Sequence, residues 1–357
     1  MIKTRSRGQM LKAHRDGPTA ARIAKLIYVS DAASGISRKK AGKGWTYWLG
    51  NRRVRDVRTL ERIRKLAIPP SWSNVWICPD VNGHLQATGR DLAGRKQYRY
   101  HAGWHGLRNE TKFHRMYEFG KLLPRLRNRL QRDMQKNELS EEKVVATVIS
   151  LMEKTYIRVG NEDYEKLYGS YGITTLRDKH VDVRRDSIKF CFTGKKGIEH
   201  SITLRSRKLA RIVRQCRDIP GAELFQYYNG DGDRKRVDSG MINEYIRNAT
   251  GKDFTAKDFR TWAGTLQAIC CLRQLQPPMD EATLRKNIAA MLDEVSERLG
   301  NSRTICRKYY VHPGLVKLYE EGELLPELAK CNEKSFSGKG LSRDEQILMA
   351  LLKRCAS

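Results

Sequence analysis

The chain has 357 residues, enough for two domains that each bury a hydrophobic core. Its 69 Lys and Arg exceed its 40 Asp and Glu, and the net charge is +29. Self-repulsion on this scale disfavours a compact monomer unless a polyanion neutralises it. Nucleic acid is the first candidate partner, and an anionic membrane surface is the second. No apolar run approaches the roughly 18–20 residues that a membrane-spanning helix needs.

Residues 1–22 are basic and poor in acidic side chains. We interpret them as a disordered arm, with a transit peptide as the alternative. This stretch lacks the apolar core of a secretory signal, so we expect the protein to stay in the cytoplasm. The eight cysteines form no C-x-x-C pair and show no zinc spacing. This predicts buried, reduced thiols without disulfides and no metal site.

Residues 23–105 have the pattern of a small β-rich domain. The segment Pro79-Asp80-Val81-Asn82-Gly83 lies between two apolar runs and predicts a hairpin turn. One short helix is predicted at about 58–66, because Pro69 prevents its continuation. The runs typical of strands are 44–48, 75–78, 85–88 and 96–100.

Residues 106–357 show mainly the spacing of helices, so the whole chain is predicted to have an α+β fold. A β-hairpin interrupts the helices, because alternate residues are apolar on both sides of a glycine-bounded turn at 194–197 that carries two lysines. Near the C-terminus, 345–352 is a short amphipathic stretch that indicates packing and no function. Predicted helix boundaries are the N-caps Ser140, Ser206 and Thr255 and the ends Gly160 and Gly300.

The sequence excludes two common routes to phosphoryl chemistry. It has no G-x-x-x-x-G-K-[ST] loop for ATP and no tight carboxylate cluster for two metal ions. Such chemistry would then need cationic side chains around the phosphate and a side-chain nucleophile. Composition cannot choose among 69 basic residues and 15 tyrosines.

Several segments resemble the type IB DNA topoisomerases, in particular the short poxvirus-type and bacterial branch. The likeness runs in order from about residue 25 to residue 315. The main segments are IPPSW (68–72), GHLQATGRD (83–91), GRKQYRYH (94–101), IRVGN (157–161), TTLR (174–177), FTAKDFRTW (254–262) and CRKYYVHP (306–313). The resemblance implies a β-rich DNA-binding domain over 23–105 and a mainly helical catalytic domain over 106–357.

The resemblance also implies an active site. Arg158 and Arg260 match the two arginines that hold the scissile phosphate, and Tyr310 matches the nucleophile that forms a 3′-phosphotyrosyl link. Lys195, at the hairpin tip, matches the lysine that protonates the departing 5′-oxygen. The fifth position is histidine in many members and is Asn301 here. An amide donates a hydrogen bond but cannot carry charge.

Two of these assignments have neighbouring alternatives, because spacing alone does not separate Tyr310 from Tyr309 or Lys195 from Lys196. We favour Tyr310 for its place before Val311-His312-Pro313, and we favour Lys195 over Lys196.

The resemblance further implies residues that contact DNA. Gln97, Tyr98 and Tyr100 match a strand that reads the major groove, and Tyr164 matches another DNA contact. In an alternating strand Tyr98 and Tyr100 share one face, and Gln97 lies on the other. An edge strand with aromatic packing is the alternative.

The implied function is relaxation of supercoiled double-stranded DNA by a monomer clamped around the duplex. No cofactor, ATP or metal is implied, and the expected location is the bacterial cytoplasm, at the nucleoid. A tyrosine recombinase is the nearest alternative, although it typically has H-x-x-R where this chain has Lys257-Asp258-Phe259-Arg260. A non-enzymatic DNA-binding protein on the same fold is the second alternative.

Overall fold

The computed structural model describes residues 10, 13, 16–92, 94–333 and 340–355. Its contacts divide the chain into two compact units, residues 1–115 and residues 116–357. The α+β fold predicted from the sequence is confirmed, with a sheet in the first unit and mainly helices in the second. No helix among the described residues is both long and apolar enough to cross a membrane.

The first unit is built on an antiparallel sheet in the order β3-β2-β1-β4-β5-β6. Helix α2, Val57–Lys65, begins at the N-cap Asp56 and buries Ile63 among the apolar side chains of β1, β4 and β5. The strand predicted at 96–100 is confirmed. The strands are β1 Ile36–Ala41, β2 Gly44–Leu49, β3 Arg52–Arg53, β4 Ser73–Ile77, β5 Leu85–Arg90 and β6 Lys96–Tyr100.

The N-terminal stretch differs from the disordered arm predicted for residues 1–22. Helix α1, Gly17–Ile23, begins at Asp16, whose side chain accepts from the Thr19 amide. The described residues Met10 and Ala13 are fully buried in a cluster that also contains Trp104. Disorder is therefore wrong for this helix, because small apolar side chains in a basic segment fill a core. The rest of the predicted arm lies outside the described residues.

Helix α3, Ala102–Asp133, was not predicted as one element. Three of the helices that follow it in the second unit begin at predicted caps, because Ser140, Ser206 and Thr255 are all confirmed as N-caps. The helices are α4 Glu141–Thr155, α5 Glu162–Tyr168, α6 Arg207–Arg217, α7 Ser239–Thr250, α8 Ala256–Gln274, α9 Glu281–Leu299, α10 Arg303–Tyr309, α11 Pro313–Glu320, α12 Leu324–Glu333 and α13 Arg343–Arg354.

One helix end differs from the prediction. Helix α4 stops at Thr155 because Tyr156 is left-handed, with φ of 57°, so the predicted stop at Gly160 is wrong. Residues 157–161 therefore lie outside any helix or strand. The predicted end of α9 at Gly300 is confirmed, with φ of 57° at that glycine.

The predicted hairpin is confirmed in the second unit. Strands β7 Val181–Val183, β8 Ser187–Thr193 and β9 Glu199–Arg205 form an antiparallel sheet in that order. Ile188 and Phe190 of β8 are fully buried, and the tip between β8 and β9 is exposed. A second hairpin, β10 Gln226–Tyr228 and β11 Arg234–Arg236, was not predicted.

Candidate active site

Arg158 lies in the segment that follows α4, and backbone hydrogen bonds to residues 173 and 174 fix this segment. The Arg158 carbonyl accepts from the Ile173 amide at 2.8 Å, and the Val159 carbonyl accepts from the Thr174 amide at 2.8 Å. The Arg158 guanidinium donates to the Gly300 carbonyl at 2.8 Å and to Oδ1 of Asn301 at 2.6 Å. The turn after α9 thus orients an arginine that is 142 residues away in sequence.

Arg260 lies on α8, which begins with a reciprocal capping box between Thr255 and Asp258. Only 7% of its surface is exposed. Its guanidinium donates to the carbonyls of Tyr156 and Leu299, the second at 2.6 Å. Its Nε is buried and has no hydrogen-bond partner within the described residues. An unsatisfied charged donor of this kind costs free energy unless an anion binds to it.

The two arginines destabilise each other's charge. Burial and the charge of Arg260 lower the pKa of Arg158 to about 10. Burial also lowers the pKa of Arg260. Arginine side chains nevertheless remain protonated at neutral pH, so the site concentrates positive charge on a buried Arg260 and a half-buried Arg158. A bound phosphate would relieve this repulsion.

Tyr310 follows the short helix α10, and its amide donates to the Cys306 carbonyl at 2.9 Å. Its own carbonyl accepts from the Thr265 hydroxyl at 3.0 Å. The Arg260 guanidinium carbon lies 5.3 Å from the centre of the Tyr310 ring. The ring of Tyr309 instead lies 5.4 Å from the Lys308 ammonium. Of the two neighbouring tyrosines, Tyr310 is the one that the structure brings to Arg260.

Lys195 lies at the exposed hairpin tip. Its ammonium is 5.4 Å from the ring centre of Tyr164, a residue of α5 that is 39% exposed. Within the described residues it forms no salt bridge. The structure thus brings Arg158, Arg260, Asn301 and Tyr310 together, and it places Lys195 against Tyr164.

The predicted DNA-reading strand is β6 of the first unit. Tyr98 and Tyr100 share a face and stack with 5.8 Å between ring centres, and Tyr98 is 46% exposed. The amide of Gln97 donates to Asp91 at 2.9 Å. Tyr100 is half-buried, so Tyr98 presents the more accessible ring of the two. The assignment of Gln97, Tyr98 and Tyr100 as DNA contacts stays a prediction.

His200 is a residue that the sequence analysis missed. It lies on β9, and burial together with the charges of Arg158 and Arg260 lowers its pKa. The hairpin pattern places it two residues after the tip, but no sequence signal indicates that it contacts the turn after α9. No group of three or more His, Cys, Asp or Glu side chains among the described residues is arranged to hold a metal ion.

Comparison with known families decides the identity of the fold. Residues 101–326 match the family model of the eukaryotic DNA topoisomerase I catalytic core. Residues 44–91 match the model of the bacterial DNA topoisomerase IB N-terminal domain. The chain belongs to the type IB DNA topoisomerases. It is therefore an isomerase that acts on DNA.

Individual relatives agree with this family. The chain is 34% identical over 294 residues to DNA topoisomerase 1B of Acanthamoeba polyphaga mimivirus, an alignment that covers 80% of this chain and 88% of the relative. It is 22% identical to DNA topoisomerase 1B of Vaccinia virus (strain Copenhagen), over 70% of this chain and 76% of the relative. It is 25% identical to DNA topoisomerase 1 of Candidozyma auris, over 56% of this chain and 25% of the relative.

Proposed function

We propose that the enzyme relaxes supercoiled DNA by transient cleavage of one strand. The Tyr310 hydroxyl releases its proton to solvent water, attacks the scissile phosphorus and forms a 3′-phosphotyrosyl bond, while the bond from phosphorus to the 5′-oxygen breaks. Lys195 gives its proton to that oxygen, which leaves as a 5′-hydroxyl. Religation is the reverse reaction, so the energy of the phosphodiester bond is kept throughout.

The observation that carries this proposal is the pair of desolvated arginines beside one tyrosine. Two guanidiniums that repel each other are complementary to the extra negative charge that a phosphate gains in the transition state. Arg260 has an unsatisfied buried Nε, and Arg158 is oriented by Gly300 and Asn301. Tyr310 is positioned at this charge by α8 and α10.

Asn301 acts in this scheme through Arg158, because its Oδ1 accepts from that guanidinium at 2.6 Å. Its amide Nδ2 then faces the Leu299 carbonyl at 3.5 Å, a weak bond that can be exchanged for a phosphate oxygen. Lys195 has to leave the Tyr164 ring to reach the 5′-oxygen. A cation–π contact at a partly exposed site is worth about 0.5–1 kcal/mol, so a phosphate can displace it.

The remaining parts of the proposal concern the DNA. A monomer clamps the duplex, with Gln97, Tyr98 and Tyr100 in the major groove and Tyr164 on the backbone. The free 5′ end swivels before religation, and neither ATP nor a metal ion takes part. Because the match over residues 44–91 is to a bacterial N-terminal domain, we propose that the enzyme works on a bacterial nucleoid.

Trapping the covalent complex tests the reaction. Plasmid DNA is mixed with the enzyme, the reaction is stopped with a denaturing detergent, and the new ends are analysed. We expect protein bound to the 3′ end and a 5′-hydroxyl that polynucleotide kinase labels directly. Protein on the 5′ end would contradict the proposed polarity. DNA binding without any covalent complex would favour the non-enzymatic alternative.

A further inference from the structure

The imidazole of His200 lies at the base of the hairpin tip. In the register of the hairpin His200 pairs with Phe192, and the two rings stack with 4.9 Å between centres and 24° between planes. Phe192 is only 5% exposed, so the stack fixes the imidazole on the hydrophobic side of the sheet. Strand pairing and stacking together leave the ring little freedom to move.

Two glycines lie directly against this ring. A Cβ on Gly194 would be 2.6 Å from Cδ2 and Nε2 of His200. A Cβ on Gly300 would be 2.6 Å from its Cε1. Real Cβ atoms do not approach other atoms this closely, so both backbones contact the ring in a way that only glycine allows. The imidazole thus fills the space between the hairpin tip and the turn after α9.

Each of these glycines is next to a residue of the proposed site. Gly194 precedes Lys195, and its amide donates to the Ile198 carbonyl at 2.7 Å, which closes the tip. Gly300 precedes Asn301, and both residues accept from Arg158. A rigid ring between the two backbones therefore sets the distance from the lysine to the arginine.

Burial and the nearby positive charges favour the neutral form of the His200 ring. Burial is the main cause that lowers its pKa, and Arg158 and Arg260 add to it, while Glu199 of the same strand opposes it weakly. Neither ring nitrogen has a hydrogen-bond partner among the described residues. A neutral ring without hydrogen bonds to the described residues contributes by packing against the two glycines.

We propose that His200 is a positioning residue. It packs the hairpin tip against the Gly300–Asn301 turn and thereby positions Lys195 for proton transfer to the 5′-oxygen of the scissile phosphate. This inference rests on the proposed function, since it assigns His200 a role through the lysine that acts as the acid.

Single-turnover cleavage of a duplex oligonucleotide tests it, with the cleavage position mapped first for the wild-type enzyme. Two substrates are compared: ordinary DNA and DNA with sulfur in place of the 5′-bridging oxygen at that position. A thiolate leaves without a proton, so only variants that fail in proton delivery recover on the sulfur substrate. The variants are His200→Ala, Lys195→Ala, their double variant and Arg260→Ala.

On ordinary DNA we expect His200→Ala to slow cleavage about 10–100-fold, because a displacement near 1 Å costs up to about 10²-fold. Lys195→Ala should slow it by about 10²–10⁴-fold. Both should come within about threefold of the wild-type rate on the sulfur substrate, while Arg260→Ala should stay slow. The double variant should be no slower than Lys195→Ala, since both changes remove the same step.

His180→Ala is the matched control. His180 is a buried histidine of the same unit that packs on Tyr171 and accepts a hydrogen bond from the Arg177 amide. The charges that act on its pKa are those of Lys179, Arg177 and Glu165, and not those of Arg158 or Arg260. The control variant should cleave both substrates at the wild-type rate. DNA affinity and thermal unfolding are measured for every variant, and His200→Gln replaces His200→Ala with the same expectations if the latter does not fold.

A His200 variant that is folded but slow on both substrates would overturn the inference, and so would a double variant with multiplied defects. Failure of Lys195→Ala to recover on the sulfur substrate has a different meaning. It would contradict the acid role of Lys195 in the proposed function, whatever His200 does.

Discussion

The guanidinium of Arg260 faces the ring of Tyr310, with 5.3 Å from its central carbon to the ring centre. This contact joins helix α8 to the end of helix α10. Positive charge at this place would stabilise the negative charge that develops on the scissile phosphate in the proposed reaction. The same guanidinium is fixed by the carbonyls of Tyr156 and Leu299, so it is preorganised before DNA arrives.

Replacement of Arg260 by lysine should be severe although the charge is kept. A lysine has one ammonium and cannot donate to two carbonyls and a phosphate in the fixed geometry of a guanidinium. We expect Arg260→Lys to lower the single-turnover cleavage rate by about 10²–10³-fold, with DNA affinity changed by less than about threefold. The exposed Arg285 provides the control, and Arg285→Lys should cleave normally. Equal loss of affinity and rate in Arg260→Lys would contradict a role in the transition state.

The close contact between α8 and Tyr310 gives a second prediction. A Cβ on Gly264 would lie 2.9 Å from both Cβ and the carbonyl oxygen of Tyr310. Gly264→Ala should therefore displace Tyr310 and slow cleavage by about 10²-fold while DNA binding is kept.

The matched control is Gly106→Ala on helix α3, where no atom lies within 4 Å of the new methyl group. Alanine is favoured over glycine in a helix by about 1 kcal/mol, so this variant should be active and slightly more stable. Normal cleavage by Gly264→Ala would show that Tyr310 is not held by this contact.

The C-terminal helix α13 should stabilise the helix that carries Arg260. Glu345 is 4% exposed, accepts from Arg127 at 2.7 and 2.8 Å, and accepts from Trp262 of α8 at 3.1 Å. Glu345→Gln leaves the half-buried Arg127 with less compensation for its charge, although its salt bridge to Glu153 remains. We therefore expect a loss of about 3 kcal/mol in the free energy of unfolding in urea. The exposed pair of Glu281 and Arg285 is the control, and Arg285→Gln should cost less than about 0.5 kcal/mol.

The Glu345 carboxyl should also make the free energy of unfolding depend on pH in the acid range. Burial raises its pKa, but the hydrogen bonds and charge of Arg127 outweigh burial, and the pKa in the folded protein lies below the ordinary 4.5. The unfolded chain then binds the proton first, so this stabilisation is complete above pH 4.5 and is lost as pH falls through the folded pKa. The wild type should lose more stability than Glu345→Gln between pH 5 and pH 3. Parallel curves would contradict this.

Protonation of His84 in the first unit should lower stability at a higher pH than protonation of Glu345 does. His84 is 5% exposed and stacks on Tyr28, with 4.3 Å between ring centres. Burial lowers its pKa from the ordinary 6.5. Since the unfolded chain gains a proton near pH 6.5 and the folded chain gains it only below that, stability should fall as pH drops below about 6.5. Urea titrations at pH 7.5 and 5.5 should show a smaller fall for His84→Gln than for the wild type.

Local sequence signals predicted much of the fold. The caps Ser140, Ser206 and Thr255 begin helices because a hydroxyl can accept from a backbone amide of the first turn. The hairpin from 188 to 204 followed from strict alternation. Helix α1 was missed, because the apolar residues it buries are too few to outweigh the basic composition around them.

The site was assembled by contacts that no local pattern encodes. The bonds from Arg158 to Gly300 and Asn301 join residues more than 140 positions apart. The backbone of Tyr156 is left-handed, which ends α4 before Arg158. A tyrosine in the sequence does not predict this conformation. The place of His200 between two glycines also depends on tertiary packing. The resemblance to a family implied roles for the two arginines and the tyrosine, but it implied no role for His200.

The most direct test of the account is relaxation of negatively supercoiled plasmid in chelator and without ATP, with the wild type, Tyr310→Phe and Tyr309→Phe compared at equal DNA binding. We predict that the wild type and Tyr309→Phe relax the plasmid and that Tyr310→Phe does not. Relaxation by Tyr310→Phe, or loss of wild-type activity in chelator, would contradict it.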